Sequence, residues 1–307
     1  MERRNFIRNA ALGSLAVSGL SVLGTESVLG AKISNAAQFK LKYAPDPGMF
    51  KESAGSDVID QIKFISDQGF RAIFMNGLMG KEPALQEKIA NELARRNMDL
   101  GPFVLYADFA VKSMVTRDPE MMQMLREKMK AGLEVQKRTN VKWALVVPGR
   151  YDEKLAWDYQ TANVVDCLRM CSEIVGPSGL TLVIEPLNAH TDHPGLFLTT
   201  MPQSYMICKA VNHPSCKIVE DMYHQQITEG NIIPNINMAW DQIGAFHIGD
   251  NPGRKEPTTG EINYLNIFKH IHGKGYNGVL CMEHGKSKPG KEGEQAVIEA
   301  YRKMDAF

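Results

Sequence analysis

The sequence lacks the loops that mark nucleotide-binding α/β proteins. Neither a Gly-rich dinucleotide loop nor a Walker-type phosphate loop follows an early strand-like segment. It also lacks an excess of charge of either sign, because 35 basic residues balance 35 acidic ones. Non-specific nucleic-acid binding relies on a basic surface that neutralises phosphates. The missing loops argue against an open doubly wound sheet, and the balanced charge argues against non-specific nucleic-acid binding and favours a small-molecule substrate.

Cysteine is scarce, and its spacing excludes two common uses. The chain has five cysteines, an odd number, and none forms the Cys-x-x-Cys pair of a zinc or redox site. Most stand in apolar contexts. The sequence therefore predicts buried free thiols at all five positions: Cys167, Cys171, Cys208, Cys216 and Cys281.

Long apolar runs are also missing, except for a short one near the N-terminus. Arg3, Arg4 and Arg8 precede an apolar stretch from Ala10 to Leu23 that is interrupted only by Gly and Ser. A positive head followed by a short hydrophobic segment is typical of an export signal, and the paired arginines resemble a twin-arginine signal. The stretch falls short of the roughly 20 residues that span a bilayer. We therefore expect residues 1–36 to be a twin-arginine-like signal that directs export to the periplasm, without stable membrane insertion. A frayed terminal helix is the alternative.

The remaining chain alternates strand-like and helix-like segments. Eight apolar runs read as strands, and amphipathic stretches of helix length lie between them. No linker or repeat divides this region. The pattern predicts a single α/β domain over residues 37–307, a (β/α)8 TIM barrel, in preference to an open doubly wound sheet. The predicted strands are 39–44, 71–75, 99–105, 142–147, 181–185, 216–221, 245–248 and 278–283.

Four polar residues each stand where one of the later apolar runs ends. They are Glu185, Asp221, His247 and Glu283, and the intervals between them are 36, 26 and 36 residues, about one strand-helix unit each. In a barrel, the carboxyl ends of the strands carry the chemistry. A structural salt bridge would explain any one of the four. Together they predict a site for one divalent metal ion (Mn, Mg, Co or Zn), since hard cations prefer oxygen ligands.

Two longer motifs resemble the xylose isomerase-like TIM barrels, in particular the branch of hydroxypyruvate isomerase-like proteins and ketose 3-epimerases. The likeness covers most of residues 37–307 and is strongest from Leu182 onward. The motifs are Glu185-Pro186-Leu187-Asn188 with Asp192-His193-Pro194-Gly195, and Pro252-Gly253-Arg254-Lys255-Glu256-Pro257 with Gly260-Glu261-Ile262-Asn263-Tyr264.

This resemblance implies roles for individual residues. The metal ligands of the related epimerases fall on Glu185, Asp221, His247 and Glu283, of which Glu185 and Glu283 also serve as acid and base. It further implies that His224 and Arg254 bind substrate oxygens. Two positions depart from the pattern. His247 stands where hydroxypyruvate isomerases often carry glutamine, and Thr191 stands where the epimerases carry glutamate.

The resemblance implies an enzyme, a divalent-metal-dependent isomerase of a small sugar or hydroxy-keto acid. Proton transfer would pass through a metal-stabilised cis-enediolate. Ketose 3-epimerisation is the nearest alternative. More remote ones are a metal-dependent phosphodiesterase or endonuclease, and a non-catalytic sugar-binding protein. A homo-oligomer is compatible with such barrels.

Overall fold

Strands and helices alternate along residues 36–307, the part of the chain that the computed structural model describes. All of the predicted export signal except Ala36 lies outside these residues. The β-strands are β1 (Lys42–Pro45), β2 (Ala72–Ile73), β3 (Asp99–Leu100), β4 (Phe103–Tyr106), β5 (Trp143–Val146), β6 (Thr181–Ile184), β7 (Cys216–Asp221), β8 (Ile243–Ile248) and β9 (Val279–Met282). The α-helices are α1 (Lys51–Ala54), α2 (Val58–Asp67), α3 (Pro83–Arg95), α4 (Pro119–Thr139), α5 (Trp157–Val175), α6 (Met201–Val211), α7 (Met222–Thr228), α8 (Ile232–Ala239), α9 (Tyr264–Gly273) and α10 (Gly290–Met304).

All strand pairs among these residues are parallel. One sheet has the order β1-β9-β8-β7-β6-β5-β4, so the first strand pairs with the last, and β2 pairs with β3 in a second sheet. The Phe74 amide donates to the Pro45 carbonyl at 3.3 Å and connects the second sheet to β1. The α/β prediction is confirmed, and the architecture is that of a TIM barrel.

One predicted strand is interrupted. Residues 99–105 were expected to be continuous, but β3 ends at Leu100 and β4 begins at Phe103. Pro102 has no N–H to donate to the ladder. Gly101 also lies against the barrel interior, where an added Cβ would sit 2.8 Å from the Cβ of Phe74 and 3.0 Å from the sulfur of Cys281. Only glycine therefore fits at this position without displacing its neighbours.

Alternate residues of the later strands face two different cores. Val183, Val219, Ala245 and Cys281 belong to a small interior cluster, whereas their sequence neighbours, such as Phe246, pack in the larger cluster beneath the helices. Side chains on a strand alternate with a period of two. The residue two positions beyond each interior residue is therefore directed to the barrel mouth. Those residues are Glu185, Asp221, His247 and Glu283.

Other features of the fold bear on the sequence predictions. All five cysteines are free and buried, as predicted. A Gly-x-Gly-x-x-Gly string does occur, from Gly273 to Gly278, but it ends α9 and precedes β9, the reverse of the order in a dinucleotide loop. Between residues 36 and 307, no helix has both the length and the apolar character needed to cross a bilayer.

Glu294 connects α10, the last helix of the barrel, to α1, the first. Its side chain is 1% exposed, and its oxygens accept hydrogen bonds from the Glu52 and Ser53 amides, both at 2.9 Å. The Lys286 ammonium lies 3.3 Å away. Burial alone would raise the pKa of Glu294, but the bonds from Ser53 and Glu52 and the charge of Lys286 lower it.

We expect Glu294→Gln to lower the free energy of unfolding by about 1–3 kcal/mol, because the amide cannot accept both backbone hydrogen bonds. A carboxyl whose pKa is lowered by folding stabilises the protein above its unfolded pKa and loses that contribution as the pH falls. The difference between wild type and variant should therefore shrink below about pH 4. Urea unfolding at several pH values measures it. Glu292→Gln, at an exposed position of the same helix, is the control, and an equal effect there would contradict this role.

Candidate metal centre

The four strand-end residues converge at the barrel mouth. Glu185 directly follows β6, Asp221 ends β7, His247 lies on β8 and Glu283 directly follows β9. Glu185, Asp221 and His247 are 5%, 1% and 0% exposed, whereas the Glu283 side chain is 24% exposed. One ligand atom from each of the four lies within 4.8 Å of the others. The structure thus brings together the residues that the sequence predicted as ligands.

His247 lies at the centre of the group. Its Nδ1 is 2.9 Å from Glu185 Oε1, 3.0 Å from Glu283 Oε2 and 3.9 Å from Asp221 Oδ2. Three carboxylate oxygens and one imidazole nitrogen therefore point at a common volume. Burying several carboxylates together is costly unless a cation compensates for their charge. This donor set suits a divalent cation with oxygen and nitrogen ligands.

Asp221 has two oxygens with different contacts. Oδ1 accepts hydrogen bonds from the Tyr223 and His224 amides, at 2.8 and 3.1 Å, and so caps the start of α7. The cap fixes the rotation of the carboxylate. Oδ2 consequently faces the mouth, where it lies 3.1 Å from Arg254 Nη2.

Arg254 reaches the carboxylates from the loop that follows β8. Its Nη2 donates to Glu283 Oε2 at 2.7 Å and its Nε donates to the Glu283 carbonyl at 3.2 Å. The guanidinium also lies over the ring of Tyr223, 4.8 Å from its centre. The structure therefore places Arg254 at the site, where part of its side chain, 30% exposed, remains accessible to a ligand.

Two buried carboxylates hold this loop in shape. Asp250 accepts from the amides of Asn251, Gly260 and Ile262 at 2.9–3.1 Å. Glu256, 2% exposed, accepts from the Ser287 amide and hydroxyl. Glu256 is therefore buried, although it stands in a polar, turn-rich stretch of the sequence. Its carboxylate fixes the loop after β9 against the loop that carries Arg254.

His224 also lies at the mouth and is 1% exposed. Its Nε2 is 3.7 Å from Asp221 Oδ2, and its Nδ1 is 2.6 Å from the Asn188 amide nitrogen. The His193 ring, which belongs to the Asp192–Gly195 motif, lies 5.3 Å from the His224 ring. His284, next to Glu283 in sequence, instead contacts the Gly285 carbonyl and the Tyr301 hydroxyl.

Asn76 is a site residue that sequence reasoning missed. Its amide donates to Glu283 Oε1 at 2.6 Å and leaves Oε2 to face His247. Asn76 follows the apolar run that contains β2, so it obeys the same strand-end rule as the four ligands. An amide carries no charge whose burial would demand a cation, so its place at a strand end does not by itself indicate a site residue.

The two glutamates have different electrostatic environments. Burial raises the pKa of Glu185 to about 7, although the nearby His247 opposes this shift. Burial acts in the same direction on Glu283, but His247, Arg254 and the Asn76 hydrogen bond outweigh it and lower the pKa of Glu283. Carboxyl groups whose pKa values are separated in this way suit opposite roles in proton transfer.

A cavity of about 350 Å³ opens beside Glu283. It is lined by Asp46, Met49, Phe74, Asn76, Met282, Glu283, His284, Gly285 and Lys286. This volume lies within the range of small-molecule sites. The carboxylate cluster therefore borders a space large enough for a small ligand.

Comparison with known proteins agrees with this fold. The family model described as "Xylose isomerase-like TIM barrel" matches residues 62–306. Hydroxypyruvate isomerase of Escherichia coli (strain K12) is 39% identical over 123 residues, 40% of this chain and 47% of that protein. The chain thus spans about half the length of this curated relative. The 2-oxo-tetronate isomerase of Pectobacterium atrosepticum is 26% identical over 238 residues, 76% of this chain and 89% of that protein.

Solved structures of other proteins also match the fold of this chain. An AP endonuclease of family 2 from Brucella melitensis superposes with a TM-score of 0.70 at 21% identity, covering 82% of this chain and 96% of that one. D-psicose 3-epimerase with D-tagatose from Clostridium cellulolyticum H10 gives 0.68 at 16% identity, covering 86% and 98%. At such identities the likeness shows the fold alone. With the family model matched over residues 62–306, the chain belongs to the xylose isomerase-like TIM barrel family.

Proposed function

We propose that this protein is a divalent-metal-dependent isomerase of a small sugar or hydroxy-keto acid. The observation that carries the proposal is the convergence of Glu185, Asp221, His247 and Glu283, with ligand atoms within 4.8 Å, beside a cavity of about 350 Å³. The hydroxypyruvate and 2-oxo-tetronate isomerases among its relatives support this reaction class.

The donor set fits one divalent ion. Glu185, Asp221, His247 and Glu283 would hold it, and a bound ion would supply Lewis-acid stabilisation of the oxygen that becomes negative as a C–H proton leaves. Asp221 is oriented for this role by the α7 cap, and Glu283 by Asn76. Supporting bonds of this kind commonly orient metal ligands.

The chain's own residues provide proton transfer and binding. One of Glu185 and Glu283 removes the proton next to the substrate carbonyl, and the other returns it after the cis-enediolate has formed. Arg254 binds a hydroxyl or carboxylate of the substrate with its remaining N–H groups. His224 contributes a hydrogen bond to a substrate oxygen. Proton return at the adjacent carbon gives isomerisation, whereas return at the same carbon on the opposite face gives epimerisation.

The test is solvent isotope exchange. A panel of ketoses, sugar acids and hydroxy-keto acids is incubated with the manganese-loaded protein in deuterated water, and the compounds are read by NMR after protein and ion are removed. Deuterium beside the carbonyl of one class supports the proposal, and the position and configuration of that carbon separate isomerase from 3-epimerase. Binding without deuterium uptake in any compound contradicts it and indicates a sugar-binding protein.

Counting bound metal provides an independent check. The described residues bring one cluster of three carboxylates and one imidazole together, which fits one ion per chain. Elemental analysis of the purified protein should therefore give a ratio near one. A ratio of two or more, with hydrolysis of a phosphodiester, would overturn the isomerase proposal.

A further inference from the structure

The Asn188 side chain is held at both ends, three residues beyond Glu185. It is fully buried, and its Oδ1 accepts from the Thr191 and Asp192 amides at 3.1 and 3.2 Å. Backbone amides can only donate, so this end of the side chain must be the oxygen. The amide nitrogen Nδ2 therefore faces the other way, where it meets Asp192 Oδ2 at 2.9 Å and His224 Nδ1 at 2.6 Å.

This orientation determines which nitrogen of His224 carries the proton. Nδ2 of Asn188 is a donor, so Nδ1 of a neutral His224 must be the acceptor. The Asn188 backbone amide approaches the same Nδ1 at 3.4 Å, a longer and weaker contact than that of the side chain. The proton of the neutral ring then resides on Nε2. That atom is buried, has no hydrogen-bond partner among the described residues, and lies 3.7 Å from Asp221 Oδ2.

A buried, unpartnered donor at this place is informative. Buried polar atoms of proteins are nearly always hydrogen-bonded, and an exception at a pocket indicates a group that a ligand completes. Nε2 faces the cluster through Asp221, whereas Nδ1 faces the turn of residues 188–192. The opposite tautomer would place two donors against each other at Nδ1 and a lone pair towards the Asp221 carboxylate.

We propose that Asn188 is a positioning residue that holds His224 as the Nε2–H tautomer and directs this N–H at a carbonyl or hydroxyl oxygen of the substrate. The proposal rests on the proposed function, because it assigns the atom that binds the oxygen on which negative charge develops. Asn188 itself does not contact the substrate. Its effect is exerted through the imidazole, as the supporting partners of ligating histidines fix ring orientation and tautomer.

The isosteric variant Asn188→Asp tests this assignment. The carboxylate can still accept from Thr191 and Asp192, but it presents an acceptor to His224 Nδ1, so the ring proton should move to Nδ1. Nitrogen-15 NMR of histidine-labelled protein reads the protonated nitrogen directly, and His224→Gln identifies the signal. We expect Nε2–H in wild type and Nδ1–H in the variant. We also expect kcat to fall by about 10- to 100-fold, with KM and manganese affinity changed less.

Asn163→Asp is the matched control. Asn163 also donates its amide to a partner, the Val115 carbonyl at 2.7 Å, but this hydrogen bond joins α5 to the loop after β4 and includes neither His224 nor a candidate metal ligand. The Asn163→Asp variant should keep the His224 signal and the kcat of the wild-type protein. An Nδ1–H signal from His224 in the wild-type protein overturns the proposal even if Asn188→Asp fails to fold. A folded Asn188→Asp variant with the wild-type tautomer of His224, or with the wild-type kcat, also overturns it. The NMR result needs no substrate. If it holds while no compound exchanges with solvent, only the proposed function fails.

Discussion

Glu185→Gln should lower the rate of solvent-proton exchange by about 10²- to 10⁴-fold at saturating metal, the contribution typical of a positioned acid or base. Glutamine keeps the size and one ligand oxygen but cannot accept a proton at neutral pH. Glu185 is 5% exposed and lies 2.9 Å from His247, so solvent cannot easily replace it. Exchange is measured by NMR in deuterated water on whichever substrate wild type accepts. Manganese is titrated separately, so that weaker metal binding is not mistaken for lost proton transfer.

The control for this prediction lies on β7. Glu220 is a fully buried glutamate beside Asp221, but it faces the helical layer because neighbouring residues of a strand point to opposite sides. Glu220→Gln changes the same chemical group at similar burial without touching the mouth, so exchange should continue near the wild-type rate. Retention of full activity by Glu185→Gln would remove Glu185 from the mechanism.

The strand-end placement of the candidate ligands could be predicted from the sequence for two reasons. Side chains alternate along a strand, and the carboxyl ends of parallel strands lie at one rim of the barrel. The interior positions Val183, Val219, Ala245 and Cys281 precede the four residues by two, and parallel strands bring their carboxyl ends to one rim. A short apolar run ending in an acid or histidine is therefore informative even when strand limits are uncertain. The ends of the observed strands differ from the predicted ones by at most three residues apart from the break after Leu100, and β7 has the predicted limits. The candidate ligands therefore still fall at or beside strand ends.

Contacts that depend on neutral amides and on loop geometry could not be predicted in this way. Asn76 stands at a strand end and Asn188 in a family motif, but the sequence does not show which side chain each amide orients. These side chains are Glu283 and His224, respectively. Glu256 stands in a turn-rich stretch, which is normally solvated, but the loop folds it against Ser287. The predicted strand 99–105 missed the break at Gly101-Pro102, and the packing of Gly101 against Cys281 requires the closed barrel.

Manganese should raise the thermal midpoint of the chelator-treated protein by about 5–10 °C at a hundredfold excess over the dissociation constant. Ligand binding to the native state alone stabilises by RT ln(1 + [L]/Kd), about 2.7 kcal/mol at this excess, and one kcal/mol corresponds to about 2–4 °C for a large domain. The expected stabilisation arises because the ion would compensate the charge of three buried or half-buried carboxylates. Among the described residues, His247 and Arg254 are the basic side chains that these carboxylates share. Differential scanning calorimetry over a series of metal concentrations measures the shift.

Two asparagine variants decide whether the shift comes from this site. Asp221→Asn keeps the acceptor that caps α7, at 2.8 Å from the Tyr223 amide, but removes the charge from the oxygen that faces the mouth. The metal-induced shift should therefore be largely lost. Asp241→Asn, at an exposed position paired with Lys209, should keep it in full. A shift that is equal in both variants would show that the ion binds elsewhere, because Asp221, unlike Asp241, contributes an oxygen to the group around His247 Nδ1.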